Sequence, residues 1–217
     1  MTIARLVRLA VPAALIFTLA ACDDPAKDAA KATVSTAAPA KTTEAAKPAG
    51  AMETFVVDPA TSSVGFVGAK ITGSHPGKFE KMSGSITLAG GKAEGGKINF
   101  EVEVASVKTD SDKLDGHLQS PDFFDAAKFP KATFTSSAIK AGGEKGASHT
   151  VTGELDLHGV KKTISFPATI TATADGASGT SEFSINRKDF GIVYPGKPDD
   201  LIKDDVLLKL SLKAKKK

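Results

Sequence analysis

From Glu53 onward the chain alternates between apolar and polar residues. Ile98, Phe100, Val102 and Val104 alternate with Asn99, Glu101, Glu103 and Ala105. Val151, Leu155 and Leu157 alternate with Thr152, Glu154, Asp156 and His158. Ile164, Phe166, Ile170 and Ala172 oppose Thr163, Ser165, Thr169 and Thr171, and Leu208, Leu210 and Leu212 oppose Lys209, Ser211 and Lys213. Period two puts one set on a buried sheet face and the other in water. The pattern predicts strands near 53–58, 62–72, 79–88, 96–108, 131–140, 148–157, 162–174, 178–187 and 203–213. Gly90-Gly91, Gly142-Gly143 and Asp175-Gly176 suit antiparallel turns between them.

The stretch from Ser111 to Ala127 breaks the alternation. Leu114 and Leu118 stand at i, i+4, and Ser120 before Pro121 predicts a second short helix with serine as N-cap and proline at N1. Strands with one apolar face must close on themselves or pack in pairs. A run of strands with one helical insert favours an all-β, eight-stranded antiparallel barrel capped by that insert. Such a barrel is filled by its own side chains or holds one small ligand.

The first 52 residues have a different texture. Arg5 and Arg8 precede an apolar run from Leu9 to Leu19, and Ala20-Ala21 follow. This is the order of a secretory signal, and its run of about 11 residues is short of the ~20 that span a bilayer. Cys22 is the only cysteine, so no intrachain disulfide exists. Leu19-Ala20-Ala21-Cys22 resembles the lipobox of bacterial lipoproteins, which implies cleavage after Ala21 and acylation of Cys22. More than one acyl chain anchors firmly. Asp23, by the same resemblance, implies retention at the periplasmic side of the inner membrane, with the outer membrane as the alternative. Residues 22–52 are mostly Ala, Lys, Thr and Pro and read as a disordered tether. As a flexible coil it would span roughly 30 Å. The expected organisation is a signal at 1–21, a tether at 22–52 and a barrel at 53–217. The formal charge is +3, of which Arg5 and Arg8 supply two. Nothing in that balance points to nucleic acid.

Four stretches carry a family resemblance. The first is Ser63-Val64-Gly65-Phe66 with Gly77-Lys78-Phe79 and Ser83-Gly84-Ser85-Ile86. The second is His117-Leu118-Gln119-Ser120-Pro121-Asp122-Phe123-Phe124-Asp125 with Phe129-Pro130 and Ala132-Thr133-Phe134. The third is Val151-Thr152-Gly153-Glu154-Leu155 with Leu157-His158-Gly159-Val160, and the fourth is Phe183 to Ile192. In that order they resemble the YceI-like, polyisoprenoid-binding family of bacterial periplasmic proteins. The resemblance implies an extended lipocalin-like barrel with a long apolar tunnel that holds an isoprenoid or another long-chain lipid. A true lipocalin would carry Gly-x-Trp, and this chain has no tryptophan.

Twelve phenylalanines, 11 of them beyond residue 52, stand against one tyrosine. Phenylalanine supplies apolar area with no polar atom to satisfy. The expected ligand-binding residues are Phe66, Phe79, Phe100, Val102, His117, Phe123, Phe124, Phe134, Leu155, Phe183, Ile185, Arg187 and Phe190. Phe123 and Phe124, adjacent on a short helix, are expected to face apart. His117 meets a lipid head group or caps a helix. Arg187 ion-pairs with Asp189 at the rim or meets a ligand oxygen. His75 and His158 read as loop and turn residues. Asp199-Asp200 and Asp204-Asp205 read as a solvated loop. The four histidines lack metal-ligand spacing and no enzyme signature is present, so neither metal, cofactor nor catalysis is expected. Two functions remain open. One is a membrane-tethered carrier or reservoir for a long-chain lipid. The other is a stress-response or interaction module with a filled core. Pairing as a homodimer is also left open.

Overall fold

The structure is a computed structural model that describes residues 24–36, 50–173 and 175–216. The signal at 1–21, Cys22, and residues 37–49 of the tether lie outside the described residues.

Fifteen strands and one α-helix form among the described residues. Two short strands come first, β1 (Ala30–Lys31) and β2 (Thr33–Ser35). Then follow β3 (Met52–Val57), β4 (Ser63–Lys70), β5 (Gly73–Phe79), β6 (Met82–Ala89), β7 (Lys92–Glu103) and β8 (Val107–Thr109). Helix α1 (Asp112–Gln119) separates these from β9 (Lys131–Ala141), β10 (His149–Leu157), β11 (Val160–Ala172) and β12 (Gly176–Asn186). A small hairpin of β13 (Gly196–Lys197) and β14 (Asp200–Leu201) leads into β15 (Asp205–Lys216).

The ring β12-β11-β10-β9-β7-β6-β3-β15 closes through the β12–β15 pairing into an eight-stranded antiparallel barrel. Three of its strands bend at short interruptions and continue. β3 resumes as β4 along the edge of β15, β5 runs into β6, and β7 runs into β8. These long, bent strands make the barrel extended. Alternation held its register. Phe55, Val57, Ile86, Leu88, Val151, Ile164, Phe183 and Ile185 all point inward and are buried.

Three expectations need correction. Residues 73–78, which hold Gly, His and Pro, fall between the expected strands, yet they belong to β5, flanked by β4 and β8. His75 therefore sits in a strand opposite Gly68, its ring Nδ1 2.9 Å from Asp110. The second helix does not form. After α1 the chain takes tight turns, with the Ser120 hydroxyl accepting from Asp122 N at 3.3 Å and the Phe124 amide donating to Leu118 O. Finally, the described part of the tether is not loose coil. Residues 30–35 pair with β12 and β11, and Ala30 and Ala32 are buried.

Candidate functional site

The inward residues do not fill the barrel. They enclose an elongated cavity of about 250 Å³, against the ~10–15 Å³ that one water needs. Its walls are almost wholly carbon. Thr133, Ser178, Thr180, Ser181 and Arg187 are the polar side chains that reach it.

Glycine keeps this space open. Phe66 pairs across strands with Gly77, and Phe100 with Gly84. A Cβ on Gly77 would collide with the Phe66 ring, and one on Gly84 with Phe100. A Cβ on Gly153 would likewise meet the Phe134 ring, which reaches it diagonally from its place opposite Leu155, beside a bulge in the β9–β10 ladder. Each ring takes up the space that a side chain on the neighbouring strand would need. The phenylalanines thus pave the wall instead of projecting to the axis. Phe166 and Phe183 stack on each other at 4.3 Å and 9°, again along the wall.

One end is closed by aromatic rings. Phe66, Phe79 and Phe124 form a triangle with centroids 5.8 to 6.5 Å apart. Leu118 of α1 and Phe123 complete the cap. The helix is held from beneath by Asp115, which is buried. Its carboxylate accepts from the Thr109 amide (2.6 Å) and hydroxyl (2.7 Å) and meets the Lys108 ammonium at 3.1 Å. The Thr109 hydroxyl, then Lys108, hold this carboxyl below the usual range.

Arg187 sits at the same end. β12 stops at Asn186, whose side chain accepts from Lys188 N, and a single 3₁₀ turn ends on Gly191 at φ 75°. That turn aims Arg187 inward, where it is 5% exposed. Its guanidinium donates to the carbonyls of Ile192 (2.8 Å) and Lys203 (3.1 Å) and to Asp204 Oδ1 (3.2 Å). Burial pushes its pKa down, and Asp204 opposes the shift. The expected partner, Asp189, is replaced by Asp204, which sits one strand away and also takes Lys188. With its donors spent on the loop at 192–204, Arg187 works as a brace. Its flank lines the cavity.

Eleven of the thirteen expected residues line this one cavity: Phe66, Phe79, Phe100, Val102, Phe123, Phe124, Phe134, Leu155, Phe183, Ile185 and Arg187. Phe123 and Phe124 both reach it, because they lie on a turn and not on a helix. Two residues do not line it. Phe190 is fully buried in the core behind the wall. His117 lies outside the cap, with Nε2 3.0 Å from Asp122 Oδ2 and its ring edge-on to Phe123 and Tyr194. Leu118 from α1, Ile192 and Ile202 from the turns around 191–204, and Val206 from the start of β15 also line the capped end, and none of them was among the expected residues. Of the acidic pairs, only Asp204 takes part at the capped end, through Arg187. Asp200 binds Lys70 and Thr72, and Asp205 binds Lys31. No cluster of metal-ligating side chains occurs among the described residues.

A hollow, extended, eight-stranded barrel with a helical cap narrows the comparison to one family. The YceI-like domain matches residues 55–214. The chain belongs to that family. A UPF0312 protein of Pseudomonas savastanoi pv. phaseolicola is 39% identical over 138 residues, covering 60% of this chain and 70% of that protein. The crystal structure of Burkholderia cenocepacia BcnA is similar with a TM-score of 0.64 at 28% identity, over 73% of this chain and 99% of that one. A polyisoprenoid binding domain from Saccharophagus degradans shares the fold, with a TM-score of 0.60 at 21% identity over 75% and 98% of the two chains. The YceI-like match leaves out residues 24–36, the segment that pairs with β11 and β12.

Proposed function

We propose that the protein binds an isoprenoid or another long-chain lipid in the barrel cavity and serves as its carrier or reservoir. The observation that carries this reading is the hollow carbon-walled cavity, kept open by phenylalanines laid over glycines. An apolar chain that hides about 400 Å² there gains roughly 10 kcal/mol at ~25 cal/mol/Å², and ordering and association costs remove much of it. Selectivity then comes from length and girth, because few polar groups reach the cavity. The shared fold with a polyisoprenoid binding domain supports the same chemistry. The ligand takes the place of a cofactor, and no catalytic step is assigned.

The lipobox at Cys22 supports a location at the membrane that supplies the ligand, on the periplasmic side of the inner membrane. Lipids extracted from the protein purified out of its own membrane, and identified by mass spectrometry, test the reading. A stoichiometric long-chain lipid is expected. Detergent alone, or an empty barrel, overturns it and leaves the interaction module. Gly77→Ala adds a control: a Cβ there displaces the Phe66 ring, so the fold should persist while bound lipid falls several-fold. Cys22→Ser should release the protein from the membrane fraction and leave lipid binding intact.

A further inference from the structure

The barrel wall has a seam. β11 and β12 are bonded directly only over Thr169–Ala172 and Ala177–Thr180. Beyond that ladder the N-terminal segment is wedged between them. Ala30 and Lys31 run parallel to Phe183 and Ser184 of β12, while Thr33, Val34 and Ser35 run antiparallel to Ser165, Ile164 and Thr163 of β11. The Ala32 amide donates to Ser184 O at 2.9 Å.

The chain explains where the seam starts. Pro167 has no N–H to give to β12, and its carbonyl is taken by the Ser181 hydroxyl instead of a backbone amide. At this point a second cavity, of about 430 Å³, opens between the segment, the turn at 144–147 and the two strands. Ala168, Thr180, Ser181 and Leu210 line both it and the apolar cavity. The wall between the two spaces is therefore one layer of small side chains, except Leu210.

The wedge is lightly held. It buries Ala26, Ala30 and Ala32, and its largest inward side chain is the half-buried Val34. Five register pairs seat it, against eleven between β12 and β15. Its other ties include the Lys31–Asp205 ion pair and a bond from the Lys145 ammonium to Asp28 O. The capped end offers no comparable opening, because rings fill it.

We propose that residues 24–36 are a detachable strap over a lateral portal, through which a long-chain lipid passes between the second cavity and the tunnel. The proposal rests on the lipid-binding reading of the tunnel. A flexible chain slipping in sideways needs only the strap to lift, whereas threading past the cap needs three packed rings to move. Asp24 follows Cys22 by two residues, so an anchor at Cys22 would pull on the strap itself.

The test uses the full chain with Cys22→Ser. Thr33→Cys and Ser165→Cys are cross-strand partners, and antiparallel partners lie ~4.5–5.5 Å apart at Cα, within disulfide reach. The readout is the rate at which a fluorescent polyene fatty acid moves from phosphatidylcholine vesicles into the protein and back. With the disulfide closed, exchange should slow at least ten-fold at unchanged capacity, and reduction should restore it. Ala32→Asp, which buries a charge under the strap, should speed exchange about ten-fold. Equal rates in the oxidised and reduced pair, with probe bound, overturn the portal. If the disulfide does not form, an unchanged rate in Ala32→Asp does the same. Failure of every variant and of the parent to take up probe overturns the lipid-binding reading, and the portal with it.

Discussion

The capped end of the barrel and its β11–β12 seam close the same tunnel by opposite means. At the cap, large rings pack on one another and a buried arginine ties the 192–204 loop to the barrel. At the seam, alanines and serines meet, one proline lacks a donor, and a borrowed strand fills the gap. Large apolar area and a desolvated charge are costly to separate, so the cap is permanent. Small side chains and a few ladder bonds are cheap to separate, so the seam is the part that can open. A closed barrel can thus be rigid and still admit a ligand, provided the weak closure is confined to one wall.

Five measurements would break or sharpen that contrast. The largest effect is expected from Arg187→Met, which strands the carbonyls of Ile192 and Lys203 and leaves Asp204 with Lys188 alone. Each buried acceptor left without a donor costs about 1–3 kcal/mol, so the two cost ~2–6 kcal/mol, read as a drop of ~4–24 °C in melting temperature at ~2–4 °C per kcal/mol. A loss below about 1 kcal/mol would show that the guanidinium braces nothing. Next is Phe79→Ala, which removes one corner of the ring triangle and should cost ~3 kcal/mol in urea unfolding. Full stability there would mean that the cap is not packed.

Val34→Ala, on the strap, should cost no more than about 1 kcal/mol. Hydrogen exchange should find the Thr33–Ser35 amides opening far more readily than those of the β12–β15 ladder. Equal protection would erase the difference between the two closures. The smallest effect is acid sensitivity. Asp115 is held below the usual carboxylate range first by Thr109, Asp200 by Lys70, Asp58 by Lys215 and Glu101 by Lys131. Folded values below the unfolded ones, near ~4, stabilise the protein above that pH, and the gain is lost as pH falls through the folded values. Melting temperature should be flat from pH 7 to about 5 and fall by a few degrees below ~4, less steeply in Asp115→Asn. A melting temperature unchanged down to pH 2.5 would refute the assignment.

Much of this was legible in the chain. Alternation marks which residues of 96–108, 148–157 and 203–213 face inward, and eleven of the thirteen expected cavity residues share one cavity. Phe190 misleads because it lies past the strand, in a 3₁₀ turn that carries its ring into the core and not to the cavity. His117 misleads because α1 turns it away from the tunnel that Leu118 faces. Residues 73–78 are unreadable as a strand because their pairing to β4 and β8 outweighs poor local propensity.

The sequence alone determines the all-β class, the inward faces and the apolar character of the interior, because these follow from period two and side-chain chemistry. Three features required the tertiary structure: that the rings lie over Gly77, Gly84 and Gly153 and leave a cavity, that Arg187 pairs with Asp204, and that residues 30–35 fill the wall. Each depends on which strands become neighbours and in what register. That choice is made by long-range pairing and packing, which local patterns do not encode.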